Sequence, residues 1–125
     1  MQIRLAIPGD INEIHRLIYE LAVYEKAPEQ MVATIDQING SLFKNMPVAF
    51  CHVAEVDGKI VGIALWFLNY STWLGKPGIY LEDLFVQPEY RGHGIGKQLM
   101  QLGFGWAADN QLESVLMKAE GVSVS

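Results

Sequence analysis

The sequence is poor in the residues that bind metals or form disulfides. It has one cysteine, Cys51, and three histidines, so an internal disulfide is excluded and no metal-ligand spacing is present. Cys51 lies in the apolar run 49–56, which favours a buried thiol over a nucleophile. His15 and His52 have no partner that the sequence predicts. We therefore expect no metal site.

Long hydrophobic runs and an excess of basic residues are also missing. No apolar run approaches the roughly 20 residues that cross a bilayer, and residues 1–4 lack the layout of a signal peptide. Nine basic and 14 acidic residues give a net charge of −5, which argues against a nucleic-acid backbone as the main partner. We expect a soluble, cytoplasmic protein with no nucleic-acid or membrane partner, whose charge fits a small cationic substrate.

The chain length predicts one compact domain. Its 125 residues, half of them hydrophobic, can bury a single core, and we expect one domain over residues 1–125. Alternating apolar residues predict a strand at 3–7. Asp10 and Glu13 have the spacing of a capping box and predict a helix that runs to about Tyr24.

The rest of the chain alternates between strand and helix patterns. Thr34 begins a second predicted helix. Strands at 49–56 and 60–70 are joined by Asp57 and Gly58, which suit a two-residue hairpin turn. A strand at 79–86 precedes a third helix that begins after Gly94, and residues 114–119 predict a short last strand. The apolar stripe of the third helix is expected to consist of Ile95, Leu99, Leu102 and Trp106.

Three alternating glycines mark the turn before that third helix, in the segment Arg91-Gly92-His93-Gly94-Ile95-Gly96. Because glycine has no side chain, a ligand can approach the backbone amides of this segment. The helix start adds unpaired N–H groups and the positive end of its dipole. We expect an anion site suited to phosphate, with Arg91 either as a charge at the rim or as a brace bonded to loop carbonyls.

Two familiar phosphate-binding motifs do not fit this loop. A P-loop and a dinucleotide-binding fingerprint would both need a glycine at position 97, where the chain has Lys97. The remaining alternative to an anion site is a glycine-rich turn that only ends a strand.

The order of elements and several short motifs resemble the GNAT superfamily of N-acetyltransferases. Arg91, Gly94 and Gly96 match its cofactor signature of Gln or Arg, two variable residues, Gly, one variable residue, and Gly or Ala. This resemblance implies an α/β (α+β) fold with a mixed, mostly antiparallel twisted sheet flanked by helices, in the order β-α-α-β-β-β-α-(β). Shorter matches resemble the diamine branch, which acetylates spermidine, spermine and thialysine: Leu21-Ala22-Val23-Tyr24-Glu25, Trp73-Leu74-Gly75-Lys76 and Tyr80-Leu81-Glu82-Asp83.

The resemblance implies transfer of an acetyl group from acetyl-coenzyme A (acetyl-CoA) to a primary amine. The acceptor would be a polyamine, a diamine or a lysine analogue that attacks directly in a ternary complex. The strand backbone would bind the pantetheine arm and the loop would bind the pyrophosphate. The implied cofactor residues are Leu84, Phe85 and Val86 for the arm, and Arg91, Gly92, His93, Gly94, Ile95, Gly96 and Lys97 for the phosphates.

The resemblance also implies the residues that meet the amine. A carboxylate inside an apolar strand must be solvated, paired or functional, and Glu82 is the candidate general base as well as a substrate-binding residue. Asp83 is expected on the opposite face of the strand. Tyr24, Glu25 and Trp73 are the other implied substrate contacts. Their structural alternatives are a solvated helix end for the first two and a packing anchor for the tryptophan.

The family pattern stops early in this chain. Family members continue with a closing helix and strands, so we expect a domain that is incomplete at its C-terminus and lacks the family's general-acid tyrosine. An open sheet edge predicts a homodimer or a strand-exchanged oligomer. The alternatives are a truncated or frameshifted product and a catalytically silent CoA-binding or interaction module. A third possibility is an acceptor of another class: an amino acid, a peptide N-terminus or an aminoglycoside.

Overall fold

The computed structural model describes residues 1–44, 47–72, 75–109 and 113–117, and within these ranges it contains one five-stranded sheet and three α-helices. The strands lie in chain order; the first four pair antiparallel, and the last pairs parallel with the fourth. The predicted mixed, mostly antiparallel fold is confirmed. The strands are β1 (Gln2–Leu5), β2 (Ala49–Val56), β3 (Lys59–Ser71), β4 (Lys76–Val86) and β5 (Glu113–Met117), and the helices are α1 (Ile11–Tyr24), α2 (Ile35–Phe43) and α3 (Ile95–Asp109).

Local sequence signals placed most of these elements correctly. Asp57 and Gly58 both have positive φ, 51° and 78°, and join β2 to β3 in the two-residue turn that suits a hairpin. The Thr34 hydroxyl accepts a hydrogen bond from the Gln37 amide, and the Gln37 side chain accepts one from the Thr34 amide. The last predicted strand is present as β5, and residues 118–119 of that prediction lie outside the described residues.

The capping role predicted for Asp10 is wrong. Asp10 lies in a short 3₁₀ turn (Pro8–Asp10), and its carboxylate makes no bond to the amides of α1. It accepts instead from the Ile7 amide at 2.9 Å and pairs with the Arg4 guanidinium at 2.7 Å. This ion pair holds the pKa of Asp10 below its usual range, and Arg4 also binds Glu55 of β2 at 2.7 Å. The Asp10 carboxylate therefore ties the turn before α1 to β1, and Arg4 ties β1 to β2. The strand predicted at 3–7 ends at Leu5.

The sheet separates two apolar clusters. Helices α1 and α2 cover one face, where Leu17 and Ile63 are fully buried, and α3 covers the other, where Trp66 and Leu99 are fully buried. Cys51 is buried on the α1 side, so the predicted core thiol is confirmed, and burial raises the pKa of that thiol.

The buried face of α3 differs from the predicted stripe. Ile95 and Leu99 are buried as expected, but Leu102 is 37% exposed, and Gly103 and Ala107 continue the buried face. A Cβ atom built on Gly103 would lie 2.3 Å from the indole of Trp66. The large indole takes the space that a side chain on α3 would need, so small residues face it.

Among the described residues, no helix combines the length and apolar content that a bilayer crossing requires. In the same ranges, no three side chains of His, Cys, Asp or Glu come together as a set of metal ligands.

Candidate active site

The glycine loop between β4 and α3 has the shape that the sequence predicts. Gly92 and Gly94 have φ angles of 85° and 77°, a region that favours glycine. No atom lies within 4 Å of a Cβ built on either residue. The first helical bond runs from the Gln98 amide to the Gly94 carbonyl at 3.0 Å. The amides of the first helical turn therefore lie before the first hydrogen bond of the helix. Anion binding at a helix start requires such amides.

Arg91 makes a bracing contact with the last residue of β4, and the predicted bond to a loop carbonyl is not the one observed. Its Nε donates to the Val86 carbonyl at 2.7 Å. Its guanidinium lies over two aromatic rings, with Cζ 4.9 Å from the Tyr24 centroid and 5.3 Å from the Phe85 centroid. Its Nη2 is buried and has no hydrogen-bond partner among the described residues. Arg91 thus ties the loop to the end of β4, while the N–H groups of its buried Nη2 have no partner among the described residues.

The side chains of residues 84–86 are buried, and part of their backbone points away from β3. Leu84, Phe85 and Val86 are at most 2% exposed. The Gln87 amide bonds to β3 through the Val61 carbonyl. Because alternate residues of a strand direct their amides to the same side, the backbone groups of Leu84 and Val86 point away from β3. Pairing of β4 with β5 is described only as far as Leu81. Binding of a pantetheine arm along this edge stays a prediction.

A β-bulge at Glu82 changes the predicted geometry of the two acidic residues. Leu81 pairs with Trp66, whereas Asp83 pairs with Leu65, the preceding residue of β3, so Glu82 is an extra residue in β4. A bulge breaks the alternation of side chains along a strand. The expectation that Asp83 faces away from Glu82 is therefore wrong, since both residues are half-buried and line the same cavity.

That cavity has a volume of about 500 Å³ and mostly apolar walls. Ile18 of α1, Met31 and Ala33 of the α1–α2 connection (residues 25–34), and Leu65 and Phe67 of β3 contribute to it. Apolar walls with two carboxylates match an aliphatic ligand that carries positive charge.

A smaller cavity of about 180 Å³ adjoins the first and shares Ile18, Met31 and Asp83 with it. Glu25 lines this second cavity, so Glu82 and Asp83 line the first cavity, and Asp83 and Glu25 line the second. We call the two adjoining cavities the amine path. The structure thus brings two of the predicted substrate residues, Glu25 and Glu82, to adjoining cavities.

The other two predicted substrate residues are placed differently. Tyr24 is 56% exposed and lies against Arg91 of the glycine loop. Trp73 lies outside the described residues. In the loop itself, His93 and Lys97 are exposed, whereas Ile95 and Gly96 are buried. The roles of all these residues stay predictions.

Three residues near the site escaped sequence reasoning. Asp83 was missed because the bulge has no sequence signal that we can identify. Gln87 is buried directly after β4, and its side-chain amide donates to the Glu20 carboxylate of α1 at 3.2 Å. The sequence signal that could have found Gln87 is its position as a polar residue between a buried strand and Pro88. His15 of α1 contacts the Ala33 carbonyl, a pairing across 18 residues that no local pattern indicates.

Comparison with known proteins finds relatives of this chain over most of its length. The model of the acetyltransferase (GNAT) family matches residues 10–122. A thialysine N-epsilon-acetyltransferase from Bos taurus is 41% identical over 109 residues, which are 81% of this chain and 64% of that protein. The human spermidine/spermine N(1)-acetyltransferase-like protein 1 is 39% identical over 107 residues, covering 80% of this chain and 15% of that protein.

Solved structures share the fold at lower identity. An aminoglycoside acetyltransferase from an uncultured soil metagenomic sample superposes with a TM-score of 0.81 at 22% identity, covering 95% of this chain and 77% of that one. A ribosomal-protein-alanine N-acetyltransferase from Brucella melitensis gives a TM-score of 0.74 at 22% identity, covering 95% and 80%. The chain spans slightly less than two thirds of the Bos taurus relative, 64% of its length.

Proposed function

Because the chain belongs to the acetyltransferase (GNAT) family, we propose that it transfers an acetyl group from acetyl-CoA to a primary amine of a small cationic acceptor, such as a polyamine, diamine or lysine analogue. The observation that carries the proposal is the bulge at Glu82, which puts two carboxylates into an apolar cavity. The names of the relatives, which refer to thialysine and to spermidine and spermine, support the same acceptor class.

The residues of the glycine loop fit the phosphates of acetyl-CoA. Open space above Gly92 and Gly94 leaves the backbone accessible, and the start of α3 offers unpaired amides. The guanidinium of Arg91, held beside the loop by the Val86 carbonyl, adds positive charge. The backbone groups of Leu84 and the amide of Val86, which point away from β3, would hold the pantetheine arm. When bound, acetyl-CoA supplies the acetyl group as a thioester that an uncharged amine attacks directly.

Glu82 would act on the amine in two ways. A primary amine with a solution pKa of about 10.4 is almost wholly protonated at neutral pH, so it must lose a proton before it can attack. The Glu82 carboxylate attracts the ammonium and accepts that proton, directly or through a water. Asp83 and Glu25 extend the negative charge along the path, which suits an acceptor with a second positive charge several bonds from the first.

The test is release of the CoA thiol when the protein is mixed with acetyl-CoA and a panel of polyamines, diamines and lysine analogues. Glu82→Gln should lower turnover by about 100- to 10,000-fold, the usual contribution of a general base, and leave the affinity for CoA unchanged. Asp83→Asn is the matched control: it removes a neighbouring charge and should raise the KM for the amine while most of kcat remains.

Two other functions give different results in the same assay. A silent CoA-binding module would be stabilised thermally by CoA and would release no thiol with any amine. An enzyme for amino acids, peptide N-termini or aminoglycosides would prefer those acceptors, and Glu82→Gln would spare its activity. Either result would refute the proposed function.

A further inference from the structure

His15 links α1 to the connection between α1 and α2. It lies in the second turn of α1, half-buried, with Nε2 2.9 Å from the carbonyl oxygen of Ala33. A carbonyl oxygen only accepts, so Nε2 carries the proton and donates. Both the neutral Nε2–H tautomer and the imidazolium can make this bond. The contact therefore does not depend on the charge of the ring.

The residue that His15 holds belongs to the wall of the amine cavity. Ala33 and Met31 line the same cavity as Glu82 and Asp83. Met31 also lines the smaller cavity that contains Glu25. A shift of this short stretch would change the width of both cavities beside the carboxylates.

Both ends of the connection are held by hydrogen bonds that do not involve His15. At the start, the Ala27 amide bonds to the Ala22 carbonyl at 2.9 Å, and the Met31 amide bonds to the Pro28 carbonyl at 3.1 Å. At the end, Thr34 caps α2. Between them, Val32 is 80% exposed. Among the described residues, no other hydrogen bond joins residues 32–33 to α1.

We infer that His15 is a positioning residue that fixes the Met31–Ala33 wall and thereby sets both the affinity for the amine and the discrimination against bulkier acceptors. The inference rests on the proposed function, because the ligand of the cavity is the proposed amine. His15 lines neither cavity and acts through the Ala33 carbonyl.

Two substitutions separate the hydrogen bond from the volume of the side chain. His15→Leu keeps an apolar body of similar size and removes the donor, whereas His15→Gln keeps an N–H donor on a flexible chain. Asn12→Leu, a polar-to-leucine change at an exposed position of the same helix, is the matched control for changes in helix stability.

His15→Leu should raise the KM for a linear diamine by about 2- to 10-fold, the effect of losing one hydrogen bond. The KM for acetyl-CoA and kcat should stay within 2-fold of wild type. The ratio of kcat/KM for a linear diamine to that for a ring-substituted amine should fall. His15→Gln should recover most of the KM for the diamine, and Asn12→Leu should match wild type.

An unchanged KM in His15→Leu, an equal rise in both KM values, or a His15→Gln variant as impaired as His15→Leu would overturn the inference. If the wild-type protein acetylates none of the amines, the proposed function is refuted. A second measurement then tests the role of His15 without turnover. Amide hydrogen exchange of residues 32–34 should then be faster in His15→Leu than in wild type and His15→Gln. Equal rates would show that His15 does not position the wall.

Discussion

The guanidinium of Arg91 lies on the ring of Tyr24, the last residue of α1, with Cζ 4.9 Å from the ring centroid. One turn earlier, Glu20 accepts a hydrogen bond from Gln87, which follows β4 directly. Residues 20 and 24 are one helical turn apart, and so are adjacent on the same face of α1. The next residue, Glu25, lines the amine path. The end of α1 thus contacts the candidate phosphate loop with one face and the candidate amine path with another.

Replacement of Tyr24 should therefore affect the binding of CoA. Tyr24→Ala removes the cation–π contact, which is worth about 0.5–1 kcal/mol at an exposed position, and should weaken CoA binding by about 2- to 5-fold. Tyr24→Phe keeps the ring and should bind CoA as wild type does. Isothermal titration calorimetry with CoA alone measures both. Unchanged affinity in Tyr24→Ala would mean that the ring does not support the loop.

The contact between Trp66 and Gly103 predicts opposite effects for two alanine substitutions in α3. A Cβ at Gly103 would lie 2.3 Å from the buried indole, whereas nothing lies within 4 Å of a Cβ at Gly105. Gly103→Ala should lower the free energy of unfolding by about 1–3 kcal/mol because the core is overpacked. Gly105→Ala should raise it by about 0.5–1 kcal/mol because alanine favours the helix. Urea denaturation gives both values, and a stable Gly103→Ala variant would contradict the packing of Trp66.

Burial of His52 predicts a loss of stability in mild acid. His52 is 1% exposed, and burial lowers its pKa from 6.5 to about 4. Between these values the unfolded chain binds a proton that the folded protein excludes, so the free energy of unfolding falls as the pH drops from about 6.5 to about 4. The loss should approach about 3 kcal/mol, at about 1.4 kcal/mol per pKa unit.

His52→Leu serves as the control for that prediction. It removes the titrating group from the buried position, so urea denaturation at pH 7 and pH 5 should show a smaller difference in stability than in wild type. Asp10 contributes in a different window, since its lowered pKa means that the ion pair with Arg4 is lost only under more acidic conditions. An equal pH dependence in His52→Leu and wild type would exclude His52 as the cause.

Elements with strong local signals were predictable from sequence. The turn at Asp57 and Gly58, the cap at Thr34 and the helix start after Gly94 depend on the conformations of a few neighbouring residues. Asp10 misled the same reasoning. Its spacing to Glu13 fits a capping box, but a partner from β1, Arg4, binds its carboxylate more directly. The spacing of residues within one helix does not indicate such a partner from another element.

The sequence by itself determined the order of helices and strands along the chain and the glycine loop, because alternation, helical spacing and backbone conformation depend on neighbouring residues. Its short motifs carried the resemblance to the family. The tertiary structure alone decided which side chains share a cavity. The bulge at Glu82 rotates Asp83 into the candidate amine site, and Arg91 stacks on a helix end that lies 67 positions earlier in the chain. Both depend on the register and packing of elements distant in sequence, which the spacing of residues along one element does not encode.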